Sequence, residues 1–308
     1  MTHFAILLVI FSSLLHAGWN ILGKKNTGSS LAFALAASST ISLLLLPYLI
    51  WFLSTIGINS LPANFWYLAI LTGIAQTVYI MALVTAYQYA DIGVIYPMIR
   101  ALPVLMVAIV ATLLGQPSTW LQWLGFGLIT IGCVVIPLQR FNQFNIRAYL
   151  NKGMFWSLIA ALGTTAYSVI DKSALTIITH IADPILANQY SALFYLGIQF
   201  MMMLPPLLVC CCYNRNLEPI IQAWQIKYSA GLAGIIMGIT YCLVLLAMTT
   251  TANVSMVVAL RQISIVFGLI MGVLFLGEKW YLTRTIGVSL ILLGLIASLG
   301  VINIWMMT

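Results

Sequence analysis

The sequence is poor in charge. Only 6% of its 308 residues are Asp, Glu, Lys or Arg, against about 25% in an ordinary soluble domain, which excludes a soluble globular domain. Acids are scarcest of all: Asp91, Asp171, Asp183, Glu218 and Glu278 are the whole supply. No two of them share an apolar run, so no carboxylate pair is available for general acid–base chemistry. The five cysteines show no CxxC or Cys/His spacing for a metal. His-Glu-x-x-His, Gly-x-Ser-x-Gly, Gly-x-Gly-x-x-Gly and Walker patterns are likewise absent. An enzyme, a metal site, a resident cofactor and ATP-driven transport by this chain alone are all disfavoured. Twelve Lys/Arg against five Asp/Glu leave a charge of +7, but the basic residues are scattered and accompany no nucleic-acid motif. DNA and RNA are not expected partners.

Apolar side chains supply what is abundant: 63% of residues are hydrophobic, and mean hydropathy is +1.09. Cutting at turn signals gives ten apolar spans: 3–22, 30–53, 64–87, 92–114, 119–138, 152–173, 184–212, 227–248, 253–275 and 281–305. The expected fold class is therefore an all-α membrane protein with ten transmembrane helices. The first span lacks a basic leader and a convincing cleavage site, and it reads as a retained helix rather than a signal peptide. A polar linker, 140–151, separates a first half, 1–139 (spans one to five), from a second, 152–308 (spans six to ten).

The halves repeat each other. A shift of 162 residues pairs Tyr79 with Tyr241, Leu114-Gly115-Gln116 with Leu276-Gly277-Glu278, Gly125 with Gly287 and Gly132 with Gly294. A shift of 148 sets His16, Trp19, Asn20 and Lys24 opposite Thr164, Tyr167, Ser168 and Lys172. Five spans is an odd number, so the second half is expected to be inverted relative to the first. Inverted repeats with a site near the bilayer midplane are common among secondary transporters. Gly125, Gly127, Gly132, Gly287 and Gly294 read as close-packing surfaces.

The Lys closing spans one and six (Trp19-Asn-Ile-Leu-Gly-Lys24 and Tyr167-Ser-Val-Ile-Asp-Lys172), the Leu-Gly-Glu/Gln turn before spans five and ten, and the Gly-rich spans after it resemble the EamA-type transporters of the drug/metabolite transporter superfamily. The resemblance covers nearly the whole chain. It implies a multi-pass transporter of the bacterial cytoplasmic (inner) membrane, most often an exporter of amino acids or small metabolites. The first half departs from the pattern at Gln116, where the second half supplies Glu278.

Polar and ionisable groups inside a bilayer are costly and mark candidate sites. Arg100 and Arg261 each lie about 12 Å into their spans, and every acid is expected at a span end or in a turn. Either the two guanidiniums bolt helices together, or they await an anion that the cargo brings. His16 shares a helical face with Trp19 and Asn20, and it reads either as a packing residue or as a proton-coupling group, since imidazole ordinarily titrates near neutral pH. Gln76 and Tyr79 share a face of span three. Together with Tyr96, Tyr167, Tyr241 and Gln262 they complete the expected lining of a central site. The expected cargo is a small carboxylate-bearing metabolite such as an amino acid, moved by alternating access, with a proton or counter-substrate as partner. The alternative is a phosphate-bearing cargo: a sugar phosphate, nucleotide sugar or lipid-linked sugar. A monomer or homodimer would serve either. A scaffold without cargo would leave the buried polar residues without a use.

Nine basic residues near span ends (Lys24, Lys25, Arg140, Arg147, Lys152, Arg215, Lys227, Lys279 and Arg284) fall on the side of the odd-numbered connections, with Lys172 expected opposite. Positive charge stays in the cytoplasm, so both termini are expected outside.

Overall fold

The computed structural model describes residues 1–23, 29–89, 92–138, 140–141, 152–183, 185–213, 217–277 and 279–299. Its long helices are α1 (His3–Gly23), α2 (Ser30–Ile56), α3 (Ala63–Tyr89), α4 (Ile92–Leu113), α5 (Trp120–Val135), α6 (Lys152–Ala182), α7 (Asn188–Tyr213) and α9 (Lys227–Thr249), with the short α8 (Glu218–Gln225) before α9. Two shorter pieces, α10 (Val254–Leu260) and α11 (Ile263–Leu276), make up the expected ninth span, and α12 (Leu282–Ser298) follows. Six segments are long and apolar enough to cross a membrane, and four shorter apolar helices accompany them. No strand occurs among the described residues. Lys24, Lys25, Asp91, Glu278, most of the linker and the end of the tenth expected span lie outside the described residues.

The helix ends follow from local chemistry. Ser29 caps α2 by accepting from the Ala32 amide at 3.3 Å. Thr119 and Gln122 form a reciprocal capping box at the start of α5. Gly115 and Gly277, matched in the two halves, both take left-handed backbone angles (φ 81° and 64°) where their helices end, a conformation that side chains oppose.

Contacts between the halves dominate. The most extensive pairings are α3 with α6, α5 with α12, α1 with α9 and α2 with α7. Exchanging each helix for its counterpart in the other half maps these pairings onto themselves. In α5 and α12 the glycines interlock: a Cβ on Gly125 would stand 2.5 Å from the Gly294 carbonyl oxygen, and one on Gly132 would stand 2.6 Å from that of Gly287. Ascending positions on one helix meet descending positions on the other, so α5 and α12 cross antiparallel, backbone against backbone. Gly127 departs from the expectation. Nothing lies within 4 Å of its Cβ position, because it projects away from this seam.

Three boundaries also depart from expectation. Span six was expected to end at residue 173, but α6 runs on to Ala182, its 31 residues extending about 46 Å. The stretch 174–182 contains neither Gly nor Pro, and Leu175, Ile178 and Ala182 bury completely or nearly so against neighbouring helices. Lys172 is therefore inside a helix rather than in an opposite loop. The connection expected at 213–226 contains α8, with its exposed Ile221 and Trp224 and with the Lys227 ammonium 3.6 Å over the Trp224 ring. Span nine is interrupted at Arg261-Gln262.

One loop of the first half grips the second. The Gln116 side-chain oxygen accepts from the Val254 amide at 3.3 Å, while the Asn253 amide donates to the Gln116 carbonyl and the Ser118 hydroxyl, each at 3.3 Å. Gln116 thus satisfies an orphan donor at the start of α10, a role that an amide oxygen fills without charge.

Candidate functional site

A small, partly open cavity lies between the halves. Its polar lining comes from Tyr79 of α3, Arg100 of α4, Thr164 and Tyr167 of α6, and Arg261 and Gln262 at the α10–α11 junction. Five of the expected site residues (Tyr79, Arg100, Tyr167, Arg261 and Gln262) are thereby brought together from both halves.

The interruption at Arg261 has a local cause. The Gln262 amide bonds to the Ala259 carbonyl at 3.0 Å, three residues back rather than four, and the Ser264 and Ile265 amides repeat that spacing. This single tight turn leaves the Val258 carbonyl without its main-chain donor. The Gln262 side chain supplies one instead, Nε2 donating to that carbonyl at 2.9 Å. Its Oε1 is buried with no hydrogen bond, an unsatisfied acceptor on a residue that lines the cavity. On the opposite wall, Pro103 in α4 deprives the Ile99 carbonyl of its helical donor.

Three tyrosines form a row. Tyr79 and Tyr167 meet edge to face at 5.7 Å, and Tyr167 meets Tyr241 in the same way at 5.9 Å. The Arg261 guanidinium stands 5.4 Å from the Tyr241 ring centroid, within cation–π range. Tyr79 and Tyr241, repeat mates in sequence, thus flank a residue that neither repeat alone would place between them. His16 is half-buried on α1 and lies within the fields of both Arg100 and Arg261. Gln76 is half-buried one turn from Tyr79 but does not line the cavity. The side chains of Trp19, Asn20 and Tyr96 lie outside the described residues.

The expectation that every acid sits at a span end fails at Asp171. Its carboxyl is fully buried inside α6. It accepts from the Thr72 hydroxyl at 2.5 Å, from the Tyr195 hydroxyl at 2.9 Å and from the Tyr241 hydroxyl. Tyr241 therefore touches the carboxylate with its hydroxyl and Arg261 with its ring. The unbroken run 174–182 was the signal in the sequence: once the helix continues through it, Asp171 is interior. The neighbouring Lys172 turns away, donating to the Met248 and Thr251 carbonyls at 2.8 and 2.6 Å. It caps the C-terminal end of α9, where a cation complements the helix dipole.

This arrangement offers an anion two guanidiniums and several hydroxyls, and it offers a cation one amide oxygen and aromatic rings. Among the described residues no group of His, Cys, Asp and Glu could hold a metal ion.

Among curated proteins, none matches the chain. Of solved structures, one protein crystal structure is similar over 96% of this chain and 98% of its own, with a TM-score of 0.64 at 16% identity. At that identity the likeness carries the fold alone. The model of the EamA-like transporter family matches twice, over residues 3–138 and 151–300, nearly the entire length. With its apolar helices, duplicated halves and polar cavity, the chain belongs to the EamA-like transporter family and is a multi-pass membrane transporter of the drug/metabolite transporter superfamily.

Proposed function

We propose that this protein is a secondary transporter, working as an exporter, that moves a small carboxylate-bearing metabolite such as an amino acid by alternating access around the cavity. The observation that carries the reading is the convergence of Arg100 and Arg261, one from each half, on one cavity. A carboxylate or phosphate matches the planar guanidinium fork. The unsatisfied Gln262 Oε1 and the Tyr79 and Tyr167 rings favour an amino acid over a phosphate ester, because an ammonium beside the carboxylate gives them a donor and a cation. With that pair we assign His16, Trp19, Asn20, Gln76, Tyr96 and Tyr241 to the proposed site and its neighbourhood.

The architecture proposed with it is ten spans in two inverted five-helix halves, 1–139 and 152–308, joined by 140–151. The antiparallel crossing of α5 with its repeat mate α12 supports the inversion. Interrupted helices at a site between repeats suit alternating access. We place the protein in a bacterial cytoplasmic membrane, as a monomer or homodimer with no enzymatic activity. The test is thermal unfolding of the purified protein in the presence of L-amino acids, sugar phosphates and cationic drugs, since a ligand of the folded state raises its apparent stability. L-amino acids should raise the midpoint, and Arg100→Lys or Arg261→Lys should remove that rise while leaving the ligand-free midpoint nearly unchanged. A rise with sugar phosphates alone, or collapse of both ligand-free variants, would sink the assignment.

A further inference from the structure

We infer that Asp171 is a proton-binding site, and that Tyr241 communicates its protonation state to the cargo cavity. An ionisable residue inside a membrane helix is costly unless it is used, and the transport chemistry proposed above leaves this one without a role. Its surroundings fit two states. As a carboxylate it accepts three hydroxyl hydrogens, from Thr72 of α3, Tyr195 of α7 and Tyr241 of α9. As a carboxylic acid it becomes a donor on one oxygen and needs an acceptor there. Two stand ready. The Tyr241 oxygen already touches Oδ2, and the amide of Gln199, fully buried, lies beside the carboxyl.

The consequence of protonation follows from donor counting. A proton arriving on Oδ2 makes that oxygen donate to Tyr241, so the Tyr241 hydrogen must rotate away. One proton is gained by the site, no bond between heavy atoms changes, and a hydroxyl rotor reverses. The ring that carries this hydroxyl also holds Arg261 at 5.4 Å and Tyr167 at 5.9 Å. Occupancy of Asp171 is thus felt at the residue we assign to the cargo anion. A reciprocal effect of cargo on proton binding is required by linkage.

Charged and titratable neighbours are compatible with this. Facing the carboxyl are Tyr195 from α7 and Tyr241 from α9, while α3 supplies only a hydroxyl, Thr72. On its own helix, Tyr167 points into the tyrosine row and Lys172 is engaged with carbonyls of the α9 end. Arg261 is reached through the Tyr241 ring, and Arg100 of α4 lines the cavity. A purely structural hub joining α3, α6, α7 and α9 would use the same hydrogen bonds but would not titrate.

The proposal rests on the transporter reading for its purpose, though not for its chemistry, so the two are tested apart. With five acids in the sequence, infrared difference spectra of the purified, cargo-free protein can be assigned by substitution. Wild-type protein taken from alkaline to acidic pH should gain the carbonyl stretch of a buried carboxylic acid, and Asp171→Asn should lose that band. Tyr241→Phe keeps the ring and removes the hydroxyl, so the band should move in frequency; this variant decides the matter if Asp171→Asn does not fold. A band that persists in Asp171→Asn, does not move in Tyr241→Phe, or follows sodium at fixed pH overturns the inference. In liposomes holding a pH-sensitive dye, an L-amino acid mixture should move protons with wild-type protein, while Asp171→Asn should exchange labelled amino acids without moving protons. Amino acids that neither stabilise nor exchange count against the cargo reading and leave the infrared result standing.

Discussion

Adding one methyl group to the α5–α12 seam gives a prediction whose sign reverses within a single helix. In Gly132→Ala the new Cβ would lie 2.6 Å from the Gly287 oxygen and 2.9 Å from Ile291 Cγ1. A relaxed carbon–oxygen contact is about 3.4 Å, so the helices must separate by roughly 0.8 Å at that point. Overpacking of this kind costs about 1–3 kcal/mol, against about 0.5–1 kcal/mol gained by removing a glycine from a helix interior. The net expectation is a loss of about 0.5–2 kcal/mol. Gly127→Ala, on the same helix, meets nothing within 4 Å and should keep only the gain. The assay is thermal unfolding of both variants and wild type in one detergent, with Gly125→Ala as a second seam position. Because Gly125 and Gly132 stand about 10 Å apart along the helix, their losses should nearly add. Equal midpoints for Gly127→Ala and Gly132→Ala would refute the backbone-to-backbone seam.

Other predictions concern charge. Lys172→Met should destabilise the fold by about 1.5–3 kcal/mol, the worth of hydrogen bonds from a charged group, seen as a lower unfolding midpoint; Lys172→Arg, which still reaches carbonyls, should recover part of it. The nine flanking basic residues on the odd-numbered side face only Lys172, held by carbonyls at the end of α9, so a C-terminal reporter active only in the cytoplasm should stay silent. A strong signal reverses the orientation. The field of Arg100 and Arg261 should repel cations, and overexpression should not raise ethidium resistance; resistance that His16→Ala abolishes would refute an anion-selective site.

Much of this architecture was legible because repeated residues do repeated work. Gly115 and Gly277 recur at a fixed shift because each helix end needs a left-handed residue, and the paired glycines of α5 and α12 recur because two backbones touch. The polar residues Arg100, Arg261, Tyr79, Tyr167 and Gln262 stood out by their cost in a bilayer, and the fold collects them. What stayed hidden depended on partners remote in sequence. Asp171 beside Lys172 reads as a helix end, yet three hydroxyls from three other helices hold it inside. The break at Arg261 leaves no Gly or Pro to announce it, because a side-chain amide rather than a breaker residue stabilises it. Gln76 shares the face of Tyr79, but only the latter reaches the cavity, a difference of one turn that periodicity does not resolve.

The clamp that Gln116 and Ser118 place on Asn253 and Val254 changes where the moving parts divide. By sequence α10 belongs to the second half, but its start is held by the first, and its most extensive packing is against α4 of the first half. Seven residues long, it is bound by contacts to the half that it does not belong to covalently. In the proposed cycle the boundary between moving bodies would then fall at the tight turn 261–262 rather than at the polar linker. In the alternating-access cycle proposed above, rotation would be taken up at Arg261 itself, so the residue we assign to the cargo would also be the joint.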